Sequence, residues 1–205
     1  RQETISALEW ATSKNSHWKF KYYLALNYWA VQREAEAIRL FQACGDDPDY
    51  APFYLTRVQM LEAHNKEPLK DIETAQRLTP EQWRTWSYLI AYYENIKAYK
   101  KALRTSENAY KKFSSNYTIG VQYARALLNN GQYDACIRTL EKINILPFEG
   151  STEGKVIYEQ ALLLNALELI DRKKYNTAFD LAQQRKQELI KDEYPEAAQK
   201  YKEIA

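Results

Sequence analysis

The chain has 205 residues, 45% of them hydrophobic, with only 5 Gly and 6 Pro. A chain of this length buries a core without disulfides or metals, and its composition disfavours a turn-rich β fold and favours a nearly all-helical one. Its 29 Lys plus Arg against 27 Asp plus Glu leave a net charge of +2, so the overall charge gives no case for a nucleic-acid or anionic-membrane partner.

The first helix is predicted within residues 1–17, where apolar side chains recur at helical spacing. They are Ile5, Leu8, Trp10 and Ala11. We interpret this segment as a partial repeat unit or an N-terminal cap. Residues 18–48 are predicted to hold the first complete helix pair, which ends at the turn Asp46-Asp-Pro-Asp49. The residues that carry its pattern are Leu24, Ala25, Tyr28, Ala37 and Phe41.

Residues 49–82 and 83–116 are predicted to form two further pairs. In the earlier one, Pro68 is expected in the first turn of the second helix, where a missing N–H is tolerated. In the later one, two sets of residues each share a helix face across a turn near residues 95–97. These sets are Trp86, Leu89 and Tyr93, and then Tyr99, Ala102 and Ala109.

Residues 117–150 form the fourth predicted pair, in which Gly131 suits a left-handed helix C-cap between the two helices. Its pattern residues are Ala124, Leu127, Gly131, Tyr133, Cys136 and Leu140. A loop at 147–156 leads into a divergent fifth pair at 151–190, and residues 191–205 are predicted to be a closing C-terminal helix. The fifth pair is recognised by Ala166, Leu169, Tyr175 and Ala178.

The units repeat with a period of about 34 residues. At that offset Leu55 falls on Leu89, and Tyr99 falls on Tyr133. Because one helix pair cannot bury its apolar face alone, neighbouring pairs must stack to make a continuous core. The chain is therefore predicted to be a single all-α repeat domain over residues 1–205.

The pattern resembles the tetratricopeptide repeat (TPR), which runs W-x2-L-G-x2-Y and then G-x-Y-x2-A-x3-F-x2-A. In the third unit Ile90 replaces the small residue of this pattern and Ser106 replaces the Phe. The resemblance covers roughly residues 18–190. It implies an α-solenoid of antiparallel helix pairs that forms a right-handed superhelix with a concave surface.

A narrower resemblance rests on HWKFKYYLALNYW (17–29), CGDDPDYAPFYLTR (44–57) and ILPFEGSTEGKVIYEQA (145–161). These segments are similar to the C-terminal TPR region of large bacterial proteins whose N-terminal domain is β-rich, resembles aldose epimerases and has no known function. The resemblance implies that the repeats are an appendage and that the chain is a fragment of such a protein.

Few residues point to chemistry. His17 and His64 have no second ligand residue at the spacing of a zinc site. The acidic turn at 46–49 lacks the sequence of ligand residues that a calcium-binding loop has. No Gly-rich phosphate-binding loop occurs in the sequence. Cys44 and Cys136 are predicted to be buried free thiols. We therefore expect a protein that is not an enzyme and that uses no metal and no cofactor.

The TPR resemblance implies a binding groove, because the first helix of each TPR pair lines the concave side. Arginines there suit a carboxylate and asparagines suit a peptide backbone, while the alternative is that the arginines pair with acids of this chain such as Glu94. Leu163, Leu167 and Asp171 extend the groove into the fifth unit. The residues selected for partner binding are Tyr22, Trp29, Phe53, Arg57, Arg84, Asn95, Arg125 and Asn129.

Three functions stay open. The leading hypothesis is a noncatalytic scaffold that binds a peptide or a partner domain in the groove. The second is an intramolecular appendage that supports the N-terminal domain of a carbohydrate-related bacterial protein, which an exposed patch of Trp29 and Phe53 would favour. The third is nucleic-acid binding through a basic helix face. That face comprises Lys97, Lys100, Lys101, Arg104, Lys111 and Lys112.

The expected partner is thus a protein or peptide, including another domain of the same chain, while nucleic acid is disfavoured. Oligomers through the terminal repeats are an open alternative. The longest apolar run, residues 161–167, is too short to span a membrane, so we predict a soluble chain without a membrane partner. The sequence leaves the compartment undetermined and favours the cytoplasm only slightly.

Overall fold

A computed structural model describes residues 2–63, 68–143 and 152–183. Within these ranges the secondary structure is helical and contains no strand, which confirms the predicted all-α class. Residues 175–183 are also helical. The ten helices with bounds at both ends are α1 (Gln2–Lys14), α2 (Trp18–Ala30), α3 (Glu34–Ala43), α4 (Ala51–Ala63), α5 (Leu69–Leu78), α6 (Trp83–Asn95), α7 (Tyr99–Lys112), α8 (Tyr117–Asn129), α9 (Tyr133–Lys142) and α10 (Thr152–Asp171).

The chain divides into two compact units, Arg1–Leu89 (unit 1) and Ile90–Ala205 (unit 2), and the boundary lies inside α6. In unit 1, α2 packs on α1 and α3, and α4 packs on α5. In unit 2, α8 packs on α7 and α9, and α10 packs on both α8 and α9. Most of these contacts join two helices that follow one another along the chain, as expected for helix hairpins.

Four turns between paired helices share one backbone conformation. Gln32, Lys97, Gly131 and Lys173 have φ values of 62°, 56°, 72° and 62°. Each donates its N–H to the carbonyl three residues back, and the following N–H reaches the carbonyl five residues back. This is the Schellman motif, which satisfies the last carbonyls of a helix. The left-handed C-cap predicted at Gly131 is confirmed, and it recurs at three positions that lack glycine.

The core of unit 1 is aromatic. Tyr22, Phe41 and Phe53 form a triangle of rings with centroids 5.5–5.9 Å apart, a spacing at which edge-to-face contacts are favourable. Ala25 of α2 and Ala37 of α3 are fully buried beside them, and their small side chains let the two helices approach closely. The repeat pattern therefore corresponds to packing between helices in this unit.

The core of unit 2 joins α8, α9 and α10. Val121, Ala124 and Leu127 of α8 pack with Cys136 and Leu140 of α9. From α10 come the buried residues Ile157, Ala161 and Leu162. One face of α10 is therefore buried in this core.

Two local predictions need adjustment. Pro68 is the N-cap of α5, one residue before the first turn in which it was expected. Residues 152–156, predicted as part of the loop, belong to the start of α10. His64, residues 147–151 and the closing segment at 191–205 lie outside the described residues. The single domain and the repeat bounds stay predictions.

Candidate functional site

A row of polar side chains crosses three helices of unit 2. Asn129 on α8 donates from Nδ2 to Oε2 of Glu94 on α6, at 2.7 Å. One turn earlier on α8, Arg125 forms an ion pair with Glu153 in the first turn of α10. Because Arg125 and Asn129 are four residues apart, they lie on the same face of α8. We call Glu94, Asn129, Arg125 and Glu153 the polar row.

Glu94 is the incompletely satisfied member of the polar row. Its Oε1 is buried and has no hydrogen-bond partner among the described residues. Burial raises the pKa of the Glu94 carboxyl above its ordinary value, and the Asn129 hydrogen bond and the Arg125 charge offset this only in part. A buried carboxylate oxygen without a donor costs free energy. The site would therefore gain from a further donor or positive charge near Glu94.

A row of apolar side chains continues from Glu153 along α10. Val156, Leu163, Leu167 and Ile170 are 46–52% exposed, and their spacing from Glu153 places all of them along one side of the helix. We call these four residues the apolar row. The opposite side of α10 is buried in the unit 2 core. A helix that is apolar on two sides is typical of one that is covered on two sides.

An open cleft lies beside the apolar row. Its volume is about 380 Å³, and its lining includes Leu167 and Asp171 of α10 together with Gly131 of the α8–α9 turn and Tyr133, the first residue of α9. The cleft is large enough for one bulky side chain of a bound segment. Two of the residues predicted to extend the groove, Leu167 and Asp171, therefore border a concave feature within unit 2.

The predicted aromatic groove residues lie in the core of unit 1. Tyr22 is 5% exposed and Phe53 is fully buried, and Trp29 is half-buried against the same cluster. The exposed patch of Trp29 and Phe53 that would favour an intramolecular appendage is therefore not present. These aromatic side chains contribute to packing, and little of their surface is available to a ligand.

Arg57 forms ion pairs within its own unit. Its guanidinium binds the Asp71 carboxylate through two hydrogen bonds of 2.7 and 2.5 Å, and it also reaches the Gly45 carbonyl at 2.5 Å. Asp46 lies at 3.4 Å, and the Arg57 side chain is only 11% exposed. The carboxylate that Arg57 was expected to bind is thus supplied by an acid of this chain, as in the stated alternative.

The other predicted residues differ in how accessible they are. Arg84 is exposed in unit 1 and lies over the Trp83 ring at 4.7 Å. Asn95 is exposed at the end of α6 in unit 2. Arg125 and Asn129 both belong to the polar row. Arg125 pairs with an acid of this chain, which was the alternative to binding a partner. That acid is Glu153, whereas Glu94 accepts its hydrogen bond from Asn129.

Glu153 and Val156 are site residues that the sequence prediction missed, because residues 147–156 were assigned to a loop, and Ile170 was not selected either. A signal was present in the sequence: Ser151 and Thr152 precede Glu153, and hydroxyl residues followed by an acid are typical of a helix start. An earlier start for α10 would have placed Glu153 on the same side of the helix as Leu163 and Leu167.

The basic run on α7 is partly engaged in local contacts. Lys111 pairs with Glu107, Lys101 lies 5.6 Å from the Tyr93 ring centroid, and Tyr110 stacks on Tyr123 with centroids 5.1 Å apart. A tyrosine stacked on another ring is not available to stack on a base. These contacts reduce the support for nucleic-acid binding at this face.

The described residues offer little reactive chemistry. Cys44 and Cys136 are buried and free, as predicted. Burial raises the pKa of the Cys44 thiol to about 11 and that of Cys136 to about 12, so both are protonated and poorly nucleophilic at neutral pH. No group of three or more candidate metal ligands occurs within 2–63, 68–143 and 152–183. Among the helices described over these ranges, none has the length and apolar character to cross a membrane.

Comparison with known proteins identifies the fold. No family model matches the chain, and no curated protein matches it, so the narrower resemblance to proteins with an aldose-epimerase-like domain receives no support. Among solved structures, the chain is similar to YrrB, a TPR protein with an unusual peptide-binding site, with a TM-score of 0.63 and 16% identity over 94% of each chain.

MamA has a TM-score of 0.60 and 13% identity over 86% of this chain and 94% of its own. A fragment of MamA from Desulfovibrio magneticus, from residue 41 to the end of that protein, has a TM-score of 0.55 and 12% identity over 82% of this chain and 92% of its own. Identities this low establish the fold and not the function. The chain therefore has the TPR fold, an all-helical repeat fold of the α-solenoid class.

Proposed function

We propose that the protein is a noncatalytic interaction scaffold that binds a segment of another protein. The binding surface is the side of unit 2 that carries the polar row and the apolar row, which we call the α6–α8–α10 face. TPR-fold neighbours support a protein-binding role, and the neighbour YrrB is itself a TPR protein with an unusual peptide-binding site.

The observation that carries the proposal is the exposed apolar row on α10. Val156, Leu163, Leu167 and Ile170 each leave about half of a large side chain in water. Covering the exposed half of such a side chain contributes about 1 kcal/mol, so the row offers about 4 kcal/mol to a partner that covers it. A polar row at its end adds directional contacts, which is the usual combination in a specific interface.

The two other functions have less support. The intramolecular appendage was to be favoured by an exposed patch of Trp29 and Phe53, but Phe53 is buried. Nucleic-acid binding through the basic run on α7 has less support because Lys111 pairs with Glu107 and Tyr110 stacks on Tyr123. Both remain distinguishable outcomes of the experiment below.

A site-specific photo-cross-linker tests the proposal. A benzophenone amino acid is placed at Leu167, and in a matched control at Leu78, which is exposed on α5 of unit 1. After irradiation in the source cells, we expect a discrete adduct with another protein from position 167 and none from position 78. An adduct with nucleic acid or within the same chain, or equal labelling at both positions, would contradict the proposal.

A further inference from the structure

We infer that the bound segment is an amphipathic helix whose apolar side is flanked by Lys or Arg residues. This inference rests on the proposed function and adds the chemical class of the partner. It follows from the spacing of the apolar row, from the charges on the α6–α8–α10 face, and from the incomplete hydrogen bonding of Glu94.

The spacing along α10 matches the seam of a helix pair. Glu153, Val156, Gln160, Leu163, Leu167 and Ile170 follow one another at alternating steps of three and four residues. Alternation of this kind keeps side chains along one line where a second helix packs against the first. A partner helix with apolar residues at the same spacing covers the row continuously, in the manner of a helix bound in a groove.

The cleft beside the row supplies a pocket for one partner side chain. Its lining includes Leu164 and Leu167 together with two acids, Asp171 and Glu168, of which Glu168 also pairs with Arg172. An apolar residue of the partner fits against the leucines, while a long basic side chain places its stem there and its charge near the acids. The lining therefore favours an apolar residue with a basic neighbour.

The charges on the face are mostly negative. Glu94, Glu153 and Asp171 lie on it, and Arg125 is their positive counterpart. Because Arg125 already pairs with Glu153, it offers less to an incoming carboxylate than a free guanidinium would. An acidic segment meets repulsion from the remaining acids, whereas Lys or Arg on the segment are attracted to them.

Glu94 provides the most specific point of attraction. Asn129 supplies one hydrogen bond to its Oε2, and its Oε1 has no partner among the described residues. A cation placed within about 4–6 Å favours the charged form of a carboxylate and relieves the cost of its burial. A basic residue at the polar end of the partner helix therefore gains more here than at a fully hydrated surface.

Selection from a phage library of random peptides tests the inference without assuming the sequence of the bound segment. The full chain is used to select from phage that display random 16-residue peptides, and binders are kept only if Leu167→Asp abolishes their binding. We expect the selected peptides to combine Leu-type residues at three- and four-residue spacing with a net positive charge. Leu78→Asp, the same substitution at an exposed leucine of unit 1, serves as the matched control.

The outcomes separate the inference from the proposed function. Selected peptides that are acidic, or that lack apolar residues at helical spacing, would overturn the inference and leave the scaffold function intact. If no peptide depends on Leu167, the α6–α8–α10 face is not a peptide-binding surface and both proposals fail. Both proposals also fail if Leu167→Asp and Leu78→Asp weaken peptide binding equally.

A designed pair of probes then measures the charge preference. One is an 18-residue helical peptide with Leu along its seam and Lys beside it, and the other has Glu in place of each Lys. Fluorescence anisotropy is expected to show at least tenfold tighter binding of the Lys peptide, weakened about three- to tenfold by Glu94→Gln or Glu153→Gln. Glu107→Gln on α7 is the control and should leave binding unchanged. Equal binding of the two peptides, or equal losses in all three variants, would refute the charge preference.

Discussion

At the scale of single residues, the turns between paired helices use a backbone conformation that disfavours most side chains. Gln32, Lys97 and Lys173 have positive φ without being glycine, whereas Gly131 fills the same position at no steric cost. A side chain in the left-handed region costs roughly 1 kcal/mol. Three turns are therefore less stable than the one at Gly131.

Replacing Lys97 by Gly is expected to stabilise unit 2. Relief of the left-handed strain outweighs the extra chain entropy of glycine in the unfolded state, for a net gain of about 0.5 kcal/mol. The free energy of unfolding is measured by urea denaturation. The control Arg104→Gly, on the exposed side of α7, should instead lose about 1 kcal/mol. A loss of similar size for Lys97→Gly would contradict the explanation.

Glu94 is expected to make stability depend on pH. Because burial raises the pKa of its carboxyl above the ordinary 4.5, the folded state holds the proton more tightly than the unfolded state. The contribution of this group is thus greatest at low pH and is lost as pH rises through the folded pKa.

Glu94→Gln removes this titration and keeps the shape of the side chain. Measured by urea unfolding from about pH 4 to pH 7, the variant should gain stability relative to the wild type as pH rises. Glu73→Gln, on exposed α5 surface, controls for the general effect of removing an acid. A wild-type-to-variant difference that stays constant over this range would show that Glu94 titrates normally.

At the scale of helices, the Arg57–Asp71 pair joins α4 to α5. Both side chains are largely buried, at 11% and 6% exposed, so solvent screens the pair weakly. Their two parallel hydrogen bonds fix the relative position of the helices. The ring centroids of Phe53 and Tyr54 lie 5.0 and 5.2 Å from Cζ of the Arg57 guanidinium, so both rings also contact the pair.

Asp71→Asn is expected to destabilise the protein by about 3 kcal/mol, because it leaves the buried Arg57 without its counter-charge. Asp46→Asn is the matched control. Asp46 also pairs with Arg57 but is 60% exposed, so its loss should cost at most about 1 kcal/mol. Thermal or urea unfolding compares the stability of the two variants. Equal losses of stability would contradict the explanation that burial makes the Arg57–Asp71 pair the more important one.

At the scale of the whole molecule, each unit contains helix hairpins whose two helices pack against each other, such as α2 on α3 and α4 on α5 in unit 1 and α8 on α9 in unit 2. In such repeat proteins stability is approximately a sum of local terms and nearest-neighbour interfaces. Local damage is therefore expected to stay local. The division into units 1 and 2 offers a direct way to observe this.

Phe41→Ala should destabilise unit 1 selectively. Phe41 is 1% exposed in the aromatic core, and its truncation is expected to cost about 3–5 kcal/mol. Hydrogen exchange should speed up in α2, α3 and α4 and change little in α8 and α9. The same cavity made in unit 2 by Leu127→Ala should give the reverse pattern. Uniform acceleration over both units would indicate one cooperative domain instead.

Sequence patterns predicted the site less completely than the fold. The positions of Arg125 and Asn129 followed from the repeat period, because both occupy the first helix of a pair. Tyr22 and Phe53 were selected on the same basis, yet they lie in the core of unit 1. Helical periodicity identifies a side of a helix only to within one residue, and one residue turns a side chain by about 100°. Such an error is enough to confuse a groove position with a core position.

The sequence by itself determined the all-helical fold, the TPR pattern and the left-handed turn at Gly131, because spacing and turn chemistry are local properties of the chain. Only the tertiary structure decided which arginines are occupied, since Arg57 meets Asp71 and Arg125 meets Glu153. It also decided that α10 carries apolar side chains in water while its other side is buried. Pairing and exposure depend on which helices lie side by side, and that information is not contained in any single segment.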